Sequence, residues 1–268
     1  MATTAKIDAK ENDILESLQG FFKNILKLED ISAILVSQHL PMKKMVMPTL
    51  VTDPDHLTDA DPLAPAFAMN AAKILSRLTR KAMGAKIVAV LRPCEIRAFV
   101  ELVKLKQGRP DDILVIGIDC LGAFQNQDYF KFAGQNGSES TMRFFNTFID
   151  AETTEMEGIN LSTACKACEY PVAANADIQI GLFGVEIDDH LLVQSQTEAG
   201  TQLLNQLNLA EIAEPVSRQD AIRLRVERRT QYRDDMFAKT SEATDSMEKM
   251  TTYFAGCVNC YNCRVACP

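Results

Sequence analysis

The residue type that carries chemistry in this chain is cysteine. Cys257-Val-Asn-Cys260-Tyr-Asn-Cys263-Arg-Val-Ala-Cys267-Pro268 has the spacing C-x2-C-x2-C-x3-C-P, the run that wraps a 4Fe-4S cubane. The short gaps let one tight loop offer three thiolates to three irons of a cluster, while the last Cys, turned away by its proline, ordinarily ligates a second one. Cys257, Cys260 and Cys263 therefore need a fourth ligand and Cys267 needs three companions, so the pattern predicts that the natural chain continues past Pro268. A zinc knuckle is the alternative, because tetrahedral thiolate sites suit zinc as readily as iron.

The other cysteines fall into a second set. Cys94 and Cys120 each follow an apolar run, KIVAVL-Arg-Pro-Cys and ILVIGI-Asp-Cys, and Cys165-Lys-Ala-Cys168 forms a C-x2-C clip. If the two runs are adjacent parallel strands, they lie ~4.8 Å apart and both thiols emerge on the carboxyl edge of the sheet, where open α/β sheets bind ligands. Two converging thiols and one clip supply the ligands of one more cubane. Cys94 also opens a predicted helix, whose free N-H groups and dipole favour a thiolate or cluster sulfur. Spacing leaves other readings open: a lone Cys can be a small buried hydrophobe, and a C-x2-C alone can be a dithiol or half a zinc site. Ala176-Asp177-Ile-Gln-Ile-Gly181-Leu-Phe-Gly184 reads as a strand ending in glycines, which either admit a cofactor close to the backbone or mark a turn.

The elements that must hold these groups alternate between helix and strand. Residues 12–28 carry apolar side chains at helical spacing, 31–37 is a β-branched run, and 43–52 reads as a strand interrupted by Pro48. A loop over 53–65, rich in Asp and Pro, precedes a helix expected from Ala66 to Met83. Lys86–Leu91, Cys94–Lys106 and Asp112–Ile118 form a strand, a helix and a strand, a β-α-β unit with parallel strands. Residues 134–140 read as a flexible turn and 151–164 as polar and irregular. Strands are expected at Ile178–Leu182, Val185–Ile187 and Leu191–Gln194. Ser217 with Asp220 resembles a capping box opening a charged helix to about Lys239, whose charge reads foremost as a solvated face. The fold class is α/β: a mixed sheet with flanking helices, a charged C-terminal helix and the start of a ferredoxin-like segment. The expected division is 1–215 as the α/β domain, 216–250 as a helical linker and 251–268 as the terminal cluster segment.

Composition narrows the function classes. Eight cysteines without a basic, apolar leader, in a chain of 268 residues, point to metal or redox use in a reducing compartment, and hence to a cytoplasmic protein. No segment approaches the ~18 apolar residues of a membrane span. The net charge of -8 argues against nucleic acid and for an acidic carrier docking on protein partners. Three His leave little scope for histidine acid-base work.

Several segments taken in order resemble one family. Leu91-Arg92-Pro93-Cys94-Glu95-Ile96-Arg97-Ala98, then Val115-Ile116-Gly117-Ile118-Asp119-Cys120-Leu121-Gly122, then Cys165 to Cys168 followed by Ala176 to Gly184, look like the beta subunits of coenzyme F420 hydrogenases and dehydrogenases. The terminal Cys run is similar to that of the formate dehydrogenase branch, and the likeness extends along residues 48–268. The resemblance implies an α/β domain that binds FAD and a proximal 4Fe-4S cluster and exchanges electrons with a larger catalytic subunit. Carried over by position, Cys94, Cys120, Cys165 and Cys168 would hold the proximal cluster, and Cys257, Cys260, Cys263 and Cys267 would begin the ferredoxin-like part. The flavin would lie against Pro48, Thr49, Pro62, Leu63, Ala64, Asn70 and the segment holding Asp177, Gly181 and Gly184. Where relatives carry a small polar or aromatic pair, this chain has Asp61-Pro62-Leu63-Ala64-Pro65.

A flavin exchanges electrons in pairs and a cluster singly, so the two together convert hydride traffic into one-electron traffic. The expected function is an oxidoreductase subunit passing electrons between a hydride carrier, with deazaflavin F420 as candidate, and a larger catalytic subunit. Other iron-sulfur subunits and ferredoxin are further expected partners. The alternatives are a relay subunit without deazaflavin activity, serving ferredoxin, a nicotinamide or a disulfide reductase complex, and a zinc-stabilised structural subunit.

Overall fold

The computed structural model describes residues 3–9, 13–41, 45–81, 84–133, 137–150 and 153–266. Along the chain the first half holds β1 (Thr4–Asp8), α1 (Ile14–Leu26), β2 (Ile31–His39), β3 (Val46–Val51), α2 (Ala71–Leu78), β4 (Lys86–Leu91), α3 (Pro93–Lys104) and β5 (Ile113–Ile118). The second half holds α4 (Asn126–Phe132), α5 (Gly137–Phe148), β6 (Glu155–Met156), β7 (Ile159–Asn160), α6 (Thr163–Lys166), β8 (Ile178–Gly181) and β9 (His190–Ser195). It continues through α7 (Glu198–Leu207), α8 (Ser217–Ala243), α9 (Met247–Tyr253) and α10 (Asn262–Ala266).

The main sheet has the order β1-β9-β8-β5-β4-β2-β3. Strands β2, β4, β5 and β8 are parallel, and β3, β9 and β1 are added antiparallel at the two sides. The parallel strands are near-continuous apolar runs because both faces are covered. Along β4, Val88 and Val90 enter one core while Ala89 and Leu91 enter the other, as the two-residue side-chain period requires. One face packs α2 and α3 through Leu75, Ile96, Phe99 and Leu102. The opposite face packs α1, α5 and α7 through Phe22, Phe144, Phe148 and Leu203. This is the mixed α/β architecture expected from the sequence.

The differences are local and have identifiable causes. Strand β1, not foreseen, pairs with β9 from the far end of the chain. The helix expected from Ala66 begins at Ala71, capped by Asn70, because the carbonyls of Ala64, Pro65 and Ala66 are drawn into bonds with Arg92 and Phe124. Its expected end at Met83 lies outside the described residues. The Asp/Pro-rich loop contains a 3-10 turn at Pro54–Asp59 capped by Asp53. Residues 137–140, expected as a turn, open α5, which buries Phe144, Phe145 and Phe148; 134–136 lie outside the described residues. Within 151–164 a short hairpin, β6 with β7, replaces irregular chain, and its residues 151 and 152 lie outside the described residues. Val185–Ile187 is turn rather than strand, because Gly184 adopts φ +65° and the chain reverses before β9. Ser217 does not cap α8: its hydroxyl donates to the Gly184 carbonyl at 2.7 Å, the cap residue is Val216, and Asp220 pairs with Arg223.

Candidate metal centre

Strands β4 and β5 are neighbours in register, Leu91 opposite Gly117, so Arg92-Pro93-Cys94 and Asp119-Cys120 leave the sheet side by side at its carboxyl edge. Pro93 at the first helical position fixes its own φ where no N-H is missed. Glu95 then accepts from the Arg92 N-H at 3.0 Å with one oxygen and from the Ala71 N-H of α2 at 2.9 Å with the other. This places Cys94 in the first turn of α3. The Cys120 N-H donates to the Pro171 carbonyl at 2.7 Å, which ties the end of β5 to the segment after the C-x2-C clip. Ser162 caps α6, its hydroxyl accepting from the Cys165 N-H, and the Cys168 N-H donates to the Cys165 carbonyl at 3.3 Å. Gly122 takes φ +119°, and a Cβ there would stand 3.4 Å from Cβ of Cys165. The clip and the Cys120 loop therefore pass against each other.

Arg92 stands among the thiols. Its guanidinium donates to the Ala64 and Ala66 carbonyls, both at 2.6 Å, binding the 61–70 loop to the cysteine edge. Burial works against its charge, yet Glu95 and the sites of Cys120, Cys94 and Cys165 outweigh it and hold its pKa above the ordinary arginine value. Although Cys94 is open to solvent as a residue, desolvation around its sulfur, with Cys120 and Glu95, pushes its thiol up, and Arg92 opposes this. Burial likewise pushes the Cys120 thiol up; Arg92 and Arg229 pull against it. A metal or cluster relieves such crowding by binding the thiolates and releasing their protons.

Among the described residues no group of three or more His, Cys, Asp or Glu side chains is gathered around one point that would hold a single metal ion. A tetrahedral zinc at Zn-S ~2.3 Å draws its sulfurs to one point. A cubane gives each thiolate a different iron and so a wider ligand ring. The Cys94 and Cys120 segments leave adjacent strands at one edge of the sheet, and the Cys165 segment passes against the Cys120 loop at Gly122.

Sequence reasoning missed the arginines of α8. Arg218, Arg225 and Arg229 form its buried face, at i, i+7 and i+11, where a helix returns to the same side. Arg218 pairs with Asp119; Arg225 donates to the Phe148 and Ile149 carbonyls at 3.0 and 2.5 Å and lies over the Phe183 ring at 4.2 Å. Burial and neighbouring Arg229 pull Arg225 down to about 9. Arg233 pairs with Glu169, and Lys166 lies over the Tyr232 ring at 4.9 Å, so the same helix also grips the clip. The only signal in the sequence was the helical spacing of the arginines.

The candidate flavin residues are not all brought together. Asn70 caps α2 next to Glu95, and Pro62 to Ala64 cross the carboxyl edge beside Arg92. Pro48 and Thr49 lie in β3, opposite Ser37 and Val36 of β2. Asp177 stands at the amino end of β8, the opposite end of the sheet, where its carboxylate accepts from the Val115 N-H at 2.8 Å and the Thr197 hydroxyl at 2.7 Å. A Cβ on Gly181 would stand 2.8 Å from the Arg218 guanidinium, and one on Gly184 2.6 Å from the Arg218 backbone, so α8 fills the space above both. Beneath the 61–66 loop the Tyr129 hydroxyl is buried without a hydrogen-bond partner. Burial and Asp61 push its phenol up.

Cys257, Cys260 and Cys263 are exposed beyond α9; Cys267 lies outside the described residues. The Lys73 ammonium of α2 donates to the Val265 carbonyl, which turns the terminal run back toward the end of the molecule that holds Cys94. Among the described residues no helix is long and apolar enough to cross a membrane.

A family model for the C terminus of the coenzyme F420 hydrogenase/dehydrogenase beta subunit matches residues 84–219. The F420-dependent formate dehydrogenase subunit beta of Methanocaldococcus jannaschii is 22% identical over 297 residues, spanning 98% of this chain and 76% of that protein. The F420-dependent formate dehydrogenase 1 subunit beta of Methanococcus maripaludis is 24% identical over 209 residues, 69% of this chain but only 54% of that relative. A chain of the F420-reducing NiFe hydrogenase complex from Methanosarcina barkeri shares the fold, with a TM-score of 0.60 at 13% identity over 92% of this chain and 94% of its own.

Proposed function

Because the chain belongs to the family of coenzyme F420 hydrogenase/dehydrogenase beta subunits, we propose that it is the flavin and iron-sulfur electron-transfer subunit of an oxidoreductase complex. In this reading it passes electrons between a hydride carrier, the deazaflavin F420 being the candidate, and a larger catalytic subunit. What supports the reading is that Cys94 and Cys120 follow adjacent parallel strands at the carboxyl edge of the sheet and that Cys165 of the clip passes against the Cys120 loop at Gly122.

The donor set fits a thiolate-ligated cluster, with Cys94, Cys120, Cys165 and Cys168 as its ligands. The chain's part is to hold two loops and one helix start in register through Glu95, Ser162 and the Cys120–Pro171 bond. Arg92 supplies a fixed positive charge against the thiolates. For a flavin, the residues that fit are those near Arg92: Pro62, Leu63, Ala64 and Asn70, with the unpartnered Tyr129 hydroxyl as a polar group facing that loop. When bound, the flavin supplies the exchange between paired and single electrons. Cys257, Cys260, Cys263 and Cys267 would serve an outer cluster completed by further ligands.

Iron, acid-labile sulfide, zinc and flavin per chain, measured on protein purified without oxygen, test the reading. Flavin with about four or more irons and matching sulfide supports it. Zinc without flavin or sulfide overturns it in favour of a structural role for the cysteines. Addition of reduced F420 with an artificial acceptor then distinguishes a deazaflavin-using subunit from a relay that serves another donor.

A further inference from the structure

Arg229 is held by main-chain carbonyls: its guanidinium donates to Leu121 at 2.9 Å, Cys120 at 3.1 Å and Cys168 at 3.5 Å. The residue is only 8% exposed. No carboxylate stands among these acceptors, which is an expensive way to bury a permanent cation unless another anion shares the site. The three carbonyls belong to both cysteine segments, the loop after β5 and the clip, which no shared strand or helix joins. Arg229 lies past residue 219, where the family match ends, so its role is not part of what that match carries.

We propose that Arg229 is a positioning residue for the inner cysteine set: it fixes the Cys120 loop and the Cys165–Cys168 clip at one spacing and supplies the cation that offsets the negative charge of a thiolate-ligated cluster. The inference rests on the reading of Cys94, Cys120, Cys165 and Cys168 as cluster ligands. The planar guanidinium spans carbonyls from two segments at once, which an ammonium of the same charge cannot do with the same geometry. Hydrogen bonds and charge near a cluster are among the terms that set its reduction potential. A buried cation favours the reduced, more negative state and so raises the potential.

The test uses the full chain purified without oxygen, with the inner cluster identified as the reducible signal that Cys165→Ser removes. Two quantities are read in the wild type, Arg229→Met, Arg229→Lys and the exposed control Arg223→Gln: the midpoint potential of that signal and the rate at which a chelator strips its iron. Arg229→Met is expected to lower the midpoint and weaken iron retention about 10-fold or more, the scale for lost outer-shell contacts. Arg229→Lys is expected to restore most of the potential but not the retention, and Arg223→Gln to match the wild type. If Arg229→Met does not fold, Arg229→Lys still decides through its retention: wild-type retention there overturns the brace. Wild-type potential and retention in Arg229→Met overturn the proposal while leaving the ligand assignment intact. A wild-type chain with no signal sensitive to Cys165→Ser overturns both.

Discussion

Arg218, in the first turn of α8, and Asp119, just past the end of β5, form an ion pair of 2.8 Å whose side chains are 1% and 0% exposed. The same carboxylate accepts from the Leu182 N-H at 3.0 Å and from Gln179 at 3.2 Å, so one buried acid joins β5, β8 and α8 beside Cys120. Removing Arg218 strands the Asp119 carboxylate in the interior, while removing Asp119 leaves the Arg218 guanidinium only the partly exposed Glu214 carboxylate at 3.6 Å. Arg218→Ala is expected to cost about 3–5 kcal/mol in chemical denaturation, the range for a broken buried pair. The double variant Arg218→Met with Asp119→Leu should recover only part of that, because the Leu182 N-H and the Gln179 amide then lose their acceptor. Additive losses in the single variants Arg218→Met and Asp119→Leu and in their double would show that the pair is not coupled.

Gly181 and Gly184 make room for this latch. Gly184→Ala forces a side chain onto φ +65° and against the Arg218 backbone, whereas Gly181→Ala meets the guanidinium itself. Both are expected to destabilise the flavin-free chain, by about 1–3 kcal/mol each, the scale of core overpacking and backbone strain. Were Gly181 kept for a cofactor instead, Gly181→Ala would leave the flavin-free chain as stable as before and lower only its flavin content.

Cys165 is half-buried at the end of a short helix that Ser162 caps. Cys165→Ser keeps that cap and changes little volume, so thermal stability of the metal-free chain should move within about 0.5 kcal/mol, as for substitutions away from the core. Iron per chain should fall, because a mixed ligand set weakens a cluster. Iron equal to the wild type would remove Cys165 from the ligand set.

The β4-α3-β5 unit could be read directly because parallel strands covered on both faces are uninterrupted apolar runs, and those runs fixed where Cys94 and Cys120 emerge. The clip's approach to them could be read only as a ligand count, since it depends on the Cys120–Pro171 bond and on Gly122. Strand β1 was illegible because five residues at a sheet edge gain their identity from β9, far along the chain. The burial of the arginines on one side of α8 was illegible for a different reason. Arginines on a charged helix look solvated, and the acceptors that bury Arg225 and Arg229 are main-chain carbonyls, which have no signature in a sequence. Likewise, Gly181 and Gly184 could be read as either turn or cofactor glycines, because the residue that fills the space above them, Arg218, arrives from another element.

Tyr129 gives the sharpest test of where a ligand meets the 61–66 loop. The side chain is 2% exposed, and its hydroxyl has no hydrogen-bond partner although Asp61 lies near enough to act on it. Asp61 is already committed: it accepts from Thr141 at 2.6 Å, pairs with His39 at 2.7 Å and accepts from the Leu63 N-H at 3.2 Å. A buried donor left without an acceptor costs about 1–3 kcal/mol. Tyr129→Phe should therefore make the flavin-free chain more stable, read as a higher midpoint in denaturant. If the hydroxyl's acceptor is the flavin, the same substitution should weaken flavin binding about 5- to 150-fold, the equivalent of that cost at 1.4 kcal/mol per tenfold. A more stable chain with unchanged flavin affinity would place the flavin elsewhere. A less stable one would mean that the hydroxyl is bonded in solution and serves the fold alone.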